Sequence, residues 1–205
     1  MPLKLQTPIW YAISSGQTTS KTTPNDLEFT FLLHLIKTAV FLEVPLFQIR
    51  EKNLPARMLY ELVSLGAEIT RSSSTRLLVN DRFDVARAAG ADGVHLTEAS
   101  LPVRVVRELC GEEFLIGAST HSLESAQVAR DGGADLVVFG PVFETESKRA
   151  FGPPQGLEKL RAVATALPDF PVLAIGGVNI DNAESCMAAG ASGVAGISWF
   201  NASNR

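Results

Sequence analysis

The sequence predicts an α/β fold, a (β/α)8 TIM barrel with a parallel closed sheet, and three observations predict it. Eight short β-rich runs alternate with segments of helical spacing, and the runs are apolar nearly throughout, as strands buried on both faces are. A phrase also recurs, "AAGADGVHL", "DGGADLVVFG" and "AAGASGVAGIS", in which a glycine closes a helix and an apolar strand begins two or three residues later. A doubly wound open sheet is the alternative, and the number of strands argues against it.

In order, the first strand is "PIWYAIS" (8–14), and the polar stretch "SSGQTTSKTTPN" after it reads as a long loop able to cover one end of a barrel. Asn25 with Glu28 predicts a capping box for a helix through "FTFLLHLIK", which places His34 inside that helix in a core or groove. The second strand is "LFQIR" (46–50), and Pro55 suits the first turn of the next helix. Strands follow at "RLLVN" (76–80), "GVHL" (93–96), "FLIGAS" (114–119), "LVVFGPV" (136–142), "PVLAIGG" (171–177) and "GVAGISWF" (193–200). Asp181 with Glu184 predicts a second capping box. Only "NASNR" follows the last strand, too little for an eighth helix. Either that helix is absent, in which case the second subunit of a homodimer could stand in its place, or the chain is truncated.

A chain of 205 residues, 46% hydrophobic, can bury the core of one such domain, so residues 1–205 are expected to form a single domain. The net charge of −4 and the lack of a basic run argue against nucleic acid as a partner. Cys110 and Cys186 have no metal spacing and read as buried thiols in a reducing, cytoplasmic compartment. No basic start followed by an apolar segment opens the chain, and no run reaches the ~18 apolar residues of a membrane span.

In a barrel, chemistry belongs where strands end and helices begin. Gln48, Arg50 and Lys52 alternate at the end of the second strand, so an extended chain would point an amide, a guanidinium and an ammonium into one space. Asn80 and Asp81 end the third strand, Ser119 and His121 the fifth, and the sixth runs into Thr145, Ser147 and Lys148. Cations and hydroxyls around one carboxylate suit a diphosphate with a divalent ion, the cation being held by Asp81. Gly176 and Gly177 end the seventh strand, where barrels bind phosphate through backbone N–H groups.

These motifs, "QIREK", "VNDRFDVARAAGADGVHL", "GASTHSLESA", "GADLVVFGPVFETESK", "QGLEKL" and "AIGGV", occur in an order that resembles the family of thiamine phosphate synthase and thiazole tautomerase over residues 45 to 200. The resemblance implies an enzyme, a transferase of thiamine biosynthesis that joins an aminopyrimidine methyl diphosphate to a thiazole phosphate, releasing pyrophosphate with the help of Mg²⁺. It matches Gln48, Arg50, Lys52 and Asn80 to substrate-binding positions of the second and third strands and Asp81 to the metal, places Ser119, Thr145, Ser147 and Lys148 around the diphosphate and the thiazole phosphate with Lys148 and Ser119 catalytic, and gives Gly176, Gly177, Ile197 and Ser198 to the second phosphate. It also implies a loop, "ETESKRAFG", that closes over pyrophosphate.

One departure bears on the reaction. The synthases carry a second metal carboxylate after the fourth strand, and here that position is Ser100, in "HLTEAS" with Thr97 and Glu98. Two other readings therefore stand beside the synthase: a tautomerase, in which His121 would move the proton, and a silent relative that binds such phosphates for regulation. His95, at the end of the fourth strand, is expected to shape the mouth.

Overall fold

The computed structural model describes residues 7–144 and 153–197. Eight strands and seven helices alternate among them: β1 Ile9–Ile13, α1 Leu27–Phe41, β2 Leu46–Ile49, α2 Ala56–Thr70, β3 Arg76–Asn80, α3 Phe83–Ala88, β4 Gly93–Leu96, α4 Val103–Cys110, β5 Leu115–Thr120, α5 Leu123–Asp131, β6 Leu136–Phe139, α6 Gly156–Ala166, β7 Val172–Ala174, α7 Ala183–Ala188 and β8 Gly193–Gly196. The strands follow one another in sequence order around a closed barrel, and every register observed is parallel. The predicted fold class is the observed one. Residues 198–205 lie outside the description, as does any eighth helix.

The backbone divides into two compact units, one of Tyr11–His95 with the residues from Ile197, and one of Leu96–Gly196 with the residues up to Trp10. In the first unit, Ile13 pairs with Gln48, Gln48 with Leu78, and Asn80 with His95. All four residues of β2 are buried, so its one polar member, Gln48, is enclosed with Leu46, Phe47 and Ile49. Helix α1 turns Phe29, Leu32, Leu35, Ile36 and Ala39 inward at the three- and four-residue spacing of an amphipathic helix. In the second unit, β5 and β6 align Ser119 with Val138, and β6 and β7 align Phe139 with Ala174.

The recurring phrase is a recurring structure. Helices α3, α5 and α7 each end in a glycine of left-handed φ, Gly90 at 77°, Gly133 at 93° and Gly190 at 96°. In each case the next residue donates its N–H back over the last turn, Ala91 to Ala86, Ala134 to Ala129 and Ala191 to Cys186. Asp92 and Asp135 then accept the N–H of the second residue of an earlier strand, Leu77 and Ile116, which ties the start of the new strand to the start of the earlier one.

Several local expectations are corrected. Asp26, not Asn25, precedes α1, and its carboxylate caps nothing because it accepts the N–H and hydroxyl of Thr23. Asn182, not Asp181, precedes α7, where Asn179 accepts the N–H groups of Asp181 and Asn182 in a turn of its own. The capping box that does form, Ser122 with Ser125 at α5, has serine where the usual pattern has glutamate. Pro55 sits one residue before α2, not inside its first turn. Cys186 is buried but Cys110 only half-buried, and His34 is exposed on α1 beside a surface groove shared with Gln17, Leu27 and Phe31.

Candidate active site

The first unit builds its strand ends from side chains. Strand β2 stops at Ile49, so alternation does not place Arg50 and Lys52: Arg50 is half-buried just beyond the strand and Lys52 is exposed in a turn. Gln48 is 2% exposed, and its amide donates to Asn80 Oδ1 at 3.1 Å, which joins two predicted residues directly. Asp81 is exposed, with φ of 63°, and its N–H donates to His95 O. The neighbouring Arg82 turns both arms onto Asp84, at 2.8 and 2.6 Å, rather than onto the Asp81 carboxylate.

Between Arg50 and Lys52 lies a residue that the motif hides. Glu51 is 3% exposed. Its Oε1 accepts from Ser14 Oγ at 2.6 Å and Gly16 N at 3.1 Å, and its Oε2 from Thr18 N at 3.1 Å and Thr18 Oγ1 at 2.7 Å. A buried carboxylate is tolerated only when hydrogen-bonded or paired, and here neutral donors do all of that work. Among the described residues Arg50 and Lys52 consequently form no ion pair, and the two cations stay available to an anion.

Deeper in the same unit, Tyr11 Oη and His95 Nδ1 lie 3.3 Å apart with their rings edge to face. Burial lowers the His95 pKa to about 4 and raises that of Tyr11 well above its usual value, so both are neutral near pH 7. His95 thus lines the interior as a neutral hydrogen-bonding group.

The second unit builds its strand ends from backbone. After β6 and β7 the chain continues side by side without sheet geometry: Val142 N donates to Ile175 O at 2.8 Å and Phe143 N to Gly176 O at 2.9 Å. A Cβ on Gly176, at φ 92°, would lie 2.4 Å from Pro141 Cβ, and one on Gly177, at φ 64°, would lie 2.7 Å from Phe143 Cβ. Packing alone therefore demands both glycines. Their N–H groups nonetheless meet no acceptor among the described residues, while Asn182 Nδ2 donates to Gly177 O at 2.8 Å and fixes that peptide. Gln155 N donates to Pro141 O and Gly156 N to Val142 O, which ties the chain after residue 152 to the chain before residue 145.

Ser119 is half-buried at the end of β5. His121 is exposed, and its Nδ1 bonds the Gly140 carbonyl, which can only accept, so Nδ1 carries the hydrogen. Ser100 Oγ accepts the Thr97 N–H at 2.8 Å and closes a turn, while Glu98 is exposed. Ile197 is 39% exposed just after β8. Thr145, Ser147, Lys148 and Ser198, with the loop expected to close over pyrophosphate, lie outside the described residues. Among the described residues no three His, Cys, Asp or Glu side chains cluster to hold a metal.

Comparison with known proteins agrees on one family. A family model described as thiamine monophosphate synthase matches residues 20–200. A protein of Geobacter sulfurreducens is 47% identical over 167 residues, 82% of this chain and 78% of its own. The thiamine-phosphate synthase of Moorella thermoacetica is 43% identical over 166 residues, 81% of this chain and 79% of its own. The solved structure of thiamine phosphate pyrophosphorylase from Pyrococcus furiosus superposes with a TM-score of 0.76 at 34% identity, covering 93% of this chain and 85% of that one.

Proposed function

The chain belongs to the thiamine monophosphate synthase family, and from that premise we propose that it joins an aminopyrimidine methyl diphosphate to a thiazole phosphate, releasing pyrophosphate and forming thiamine phosphate. The observation that carries the reading is the pair Arg50 and Lys52, whose only intervening carboxylate is taken up by four neutral donors. Two cations two residues apart, with no ion-pair partner among the described residues, are suited to a diphosphate, which spreads charge over two phosphoryl groups.

In this reading the C–O bond between the pyrimidine methylene and the diphosphate breaks first, and pyrophosphate leaves with the electron pair. Arg50 and Lys52 stabilise that charge as it develops, so the effect is electrostatic and needs no strong base. Lys148 with Thr145 and Ser147 is assigned to the same group. Gln48 and Asn80, already bonded to each other, present an amide pair to the pyrimidine side. The thiazole nitrogen then attacks the methylene carbon, and the gain comes from holding the two rings in register. The N–H groups of Gly176 and Gly177, together with Ile197 and Ser198, are assigned to the thiazole phosphate, and Ser119 to the pyrophosphate.

Mg²⁺ fits the donor set on one condition. Asp81 offers a single exposed carboxylate, while Ser100 spends its hydroxyl on the 97–100 turn. Magnesium commonly binds through one or two carboxylates plus substrate phosphate oxygens, so Asp81 would hold it as a diphosphate complex and it would supply charge neutralisation there. Among the described residues no helix is long and apolar enough to cross a membrane. We read residues 1–205 as one domain acting on small phosphorylated substrates in the cytoplasm, alone or as a homodimer. No observation favours the tautomerase or the silent relative.

The test is to incubate the protein with both substrates and Mg²⁺ and to follow pyrophosphate and the joined product together. Equal release of both, dependent on each substrate, supports the reading. Turnover of the thiazole alone would replace it with the isomerase.

A further inference from the structure

We infer that Glu51 is a positioning residue for the diphosphate site, acting through Ser14 and Gly16 on Arg50. The inference rests on the synthase reading above. A carboxylate can only accept, so the Ser14 hydroxyl must give its proton to Glu51 Oε1, at 2.6 Å. That leaves the Ser14 oxygen free to accept the Arg50 N–H, at 2.8 Å. The Glu51 charge thus orients a hydroxyl, and the hydroxyl fixes the peptide that carries the guanidinium. The same carboxylate holds the N–H groups of Gly16 and Thr18, and Gly16 is the surface on which Arg50 leans: a Cβ there would lie 3.2 Å from Arg50 O and 3.5 Å from Arg50 Nη1. Ser14, Thr18 and Glu51 are 1%, 2% and 3% exposed, so water does not substitute for these bonds. The stretch after β1 is therefore a backstop, latched by one carboxylate, that narrows the directions Arg50 can take.

Neutralising the latch has a specific consequence. Glu51→Gln keeps one oxygen for Ser14 and Gly16 but turns an NH₂ group toward the Thr18 N–H, a donor facing a donor. Arg50 then loses its fixed approach, and binding of the diphosphate suffers while the thiazole phosphate is untouched.

The experiment measures KM for each substrate, and affinity for inorganic pyrophosphate with Mg²⁺ by calorimetry, in the wild type, Glu51→Gln, Ser14→Ala and Arg50→Ala. Glu51→Gln is expected to raise the diphosphate KM about tenfold and to weaken pyrophosphate similarly, with the thiazole phosphate KM unchanged. Ser14→Ala shifts the same constants by less. In an Arg50→Ala background, Glu51→Gln adds no further shift. A merely structural Glu51 would lower kcat through a smaller active fraction and leave both KM values alone, and that result, or pyrophosphate binding equal to wild type, overturns the inference. If Glu51→Gln does not fold, Ser14→Ala decides by the same criteria. A wild type that neither binds pyrophosphate nor forms product overturns the synthase reading and this inference with it.

Discussion

The two units finish their strand ends in opposite ways. In the first, the strand ends are built from side chains, Gln48 on Asn80 and Glu51 on Ser14, Gly16 and Thr18, which leaves Arg50 and Lys52 without a counter-charge among the described residues. In the second, segments 140–143 and 175–177 lie so close that no side chain fits at Gly140, Gly176 or Gly177, and peptide N–H groups are what Gly176 and Gly177 offer. The first arrangement suits a group that departs with its charge, because cations already in place meet that charge as it develops. The second suits a phosphate that stays bound throughout, because a packed backbone does not move.

The contrast breaks most severely at Gly176. Gly176→Ala adds a Cβ at a left-handed φ within 2.4 Å of Pro141 Cβ, and Pro141 belongs to the same tightly bonded corner, so neither side can yield cheaply. A loss of about 3 kcal/mol or more in denaturant unfolding is expected. A loss under about 1 kcal/mol would mean the corner is looser than its hydrogen bonds imply.

The polar interior of the first unit sharpens the comparison through pH. The folded-state pKa of His95 is about 4, below the ordinary 6.5, so between those values the unfolded chain binds the extra proton. Stability contributed by neutral His95 is complete above about pH 6.5 and is lost as pH falls toward 4. The loss is of order 3 kcal/mol by linkage. Unfolding curves of wild type and His95→Gln across that range should converge toward the acid end. Parallel curves would show that His95 is not the group responsible.

Tyr11→Phe removes only the hydroxyl 3.3 Å from His95 Nδ1 and should cost about 1 kcal/mol. Smaller still is Ser122→Ala at the exposed start of α5, expected to cost about 0.5–1 kcal/mol in thermal or denaturant unfolding with no change in either KM.

Much of this was legible in the sequence because it is written in local signals. The three glycine-closed joints, the eight apolar runs and the Gln48, Asn80 and Asp81 positions each follow from a few adjacent residues, and the fold bears out the barrel they imply. What stayed hidden is non-local. Glu51 looks like a solvated charge between two cations, and only the approach of residues 14–18, more than thirty positions away, makes it a buried hub. The alternation argument put Lys52 on the strand face, yet β2 ends three residues earlier at Ile49. The spacing shows Gly176 and Gly177 as candidate phosphate ligands but shows nothing of Pro141 and Phe143, which need the same glycines for packing. Ser122 with Ser125 escaped because a serine replaces the expected glutamate.

The central claim is that Arg50 serves the diphosphate and the backbone at Gly176 and Gly177 serves the thiazole phosphate, and two variants test it together. Arg50→Ala removes a cation of the first unit, and Asn182→Ala frees the Gly177 peptide that Asn182 Nδ2 holds at 2.8 Å in the second. Initial rates with one substrate saturating and the other varied give both KM values for each variant. The account predicts that Arg50→Ala raises KM for the aminopyrimidine diphosphate about 10–100-fold and that Asn182→Ala raises KM for the thiazole phosphate several-fold, each leaving the other constant near wild type. Both variants shifting the same KM, or Arg50→Ala shifting neither, would contradict it.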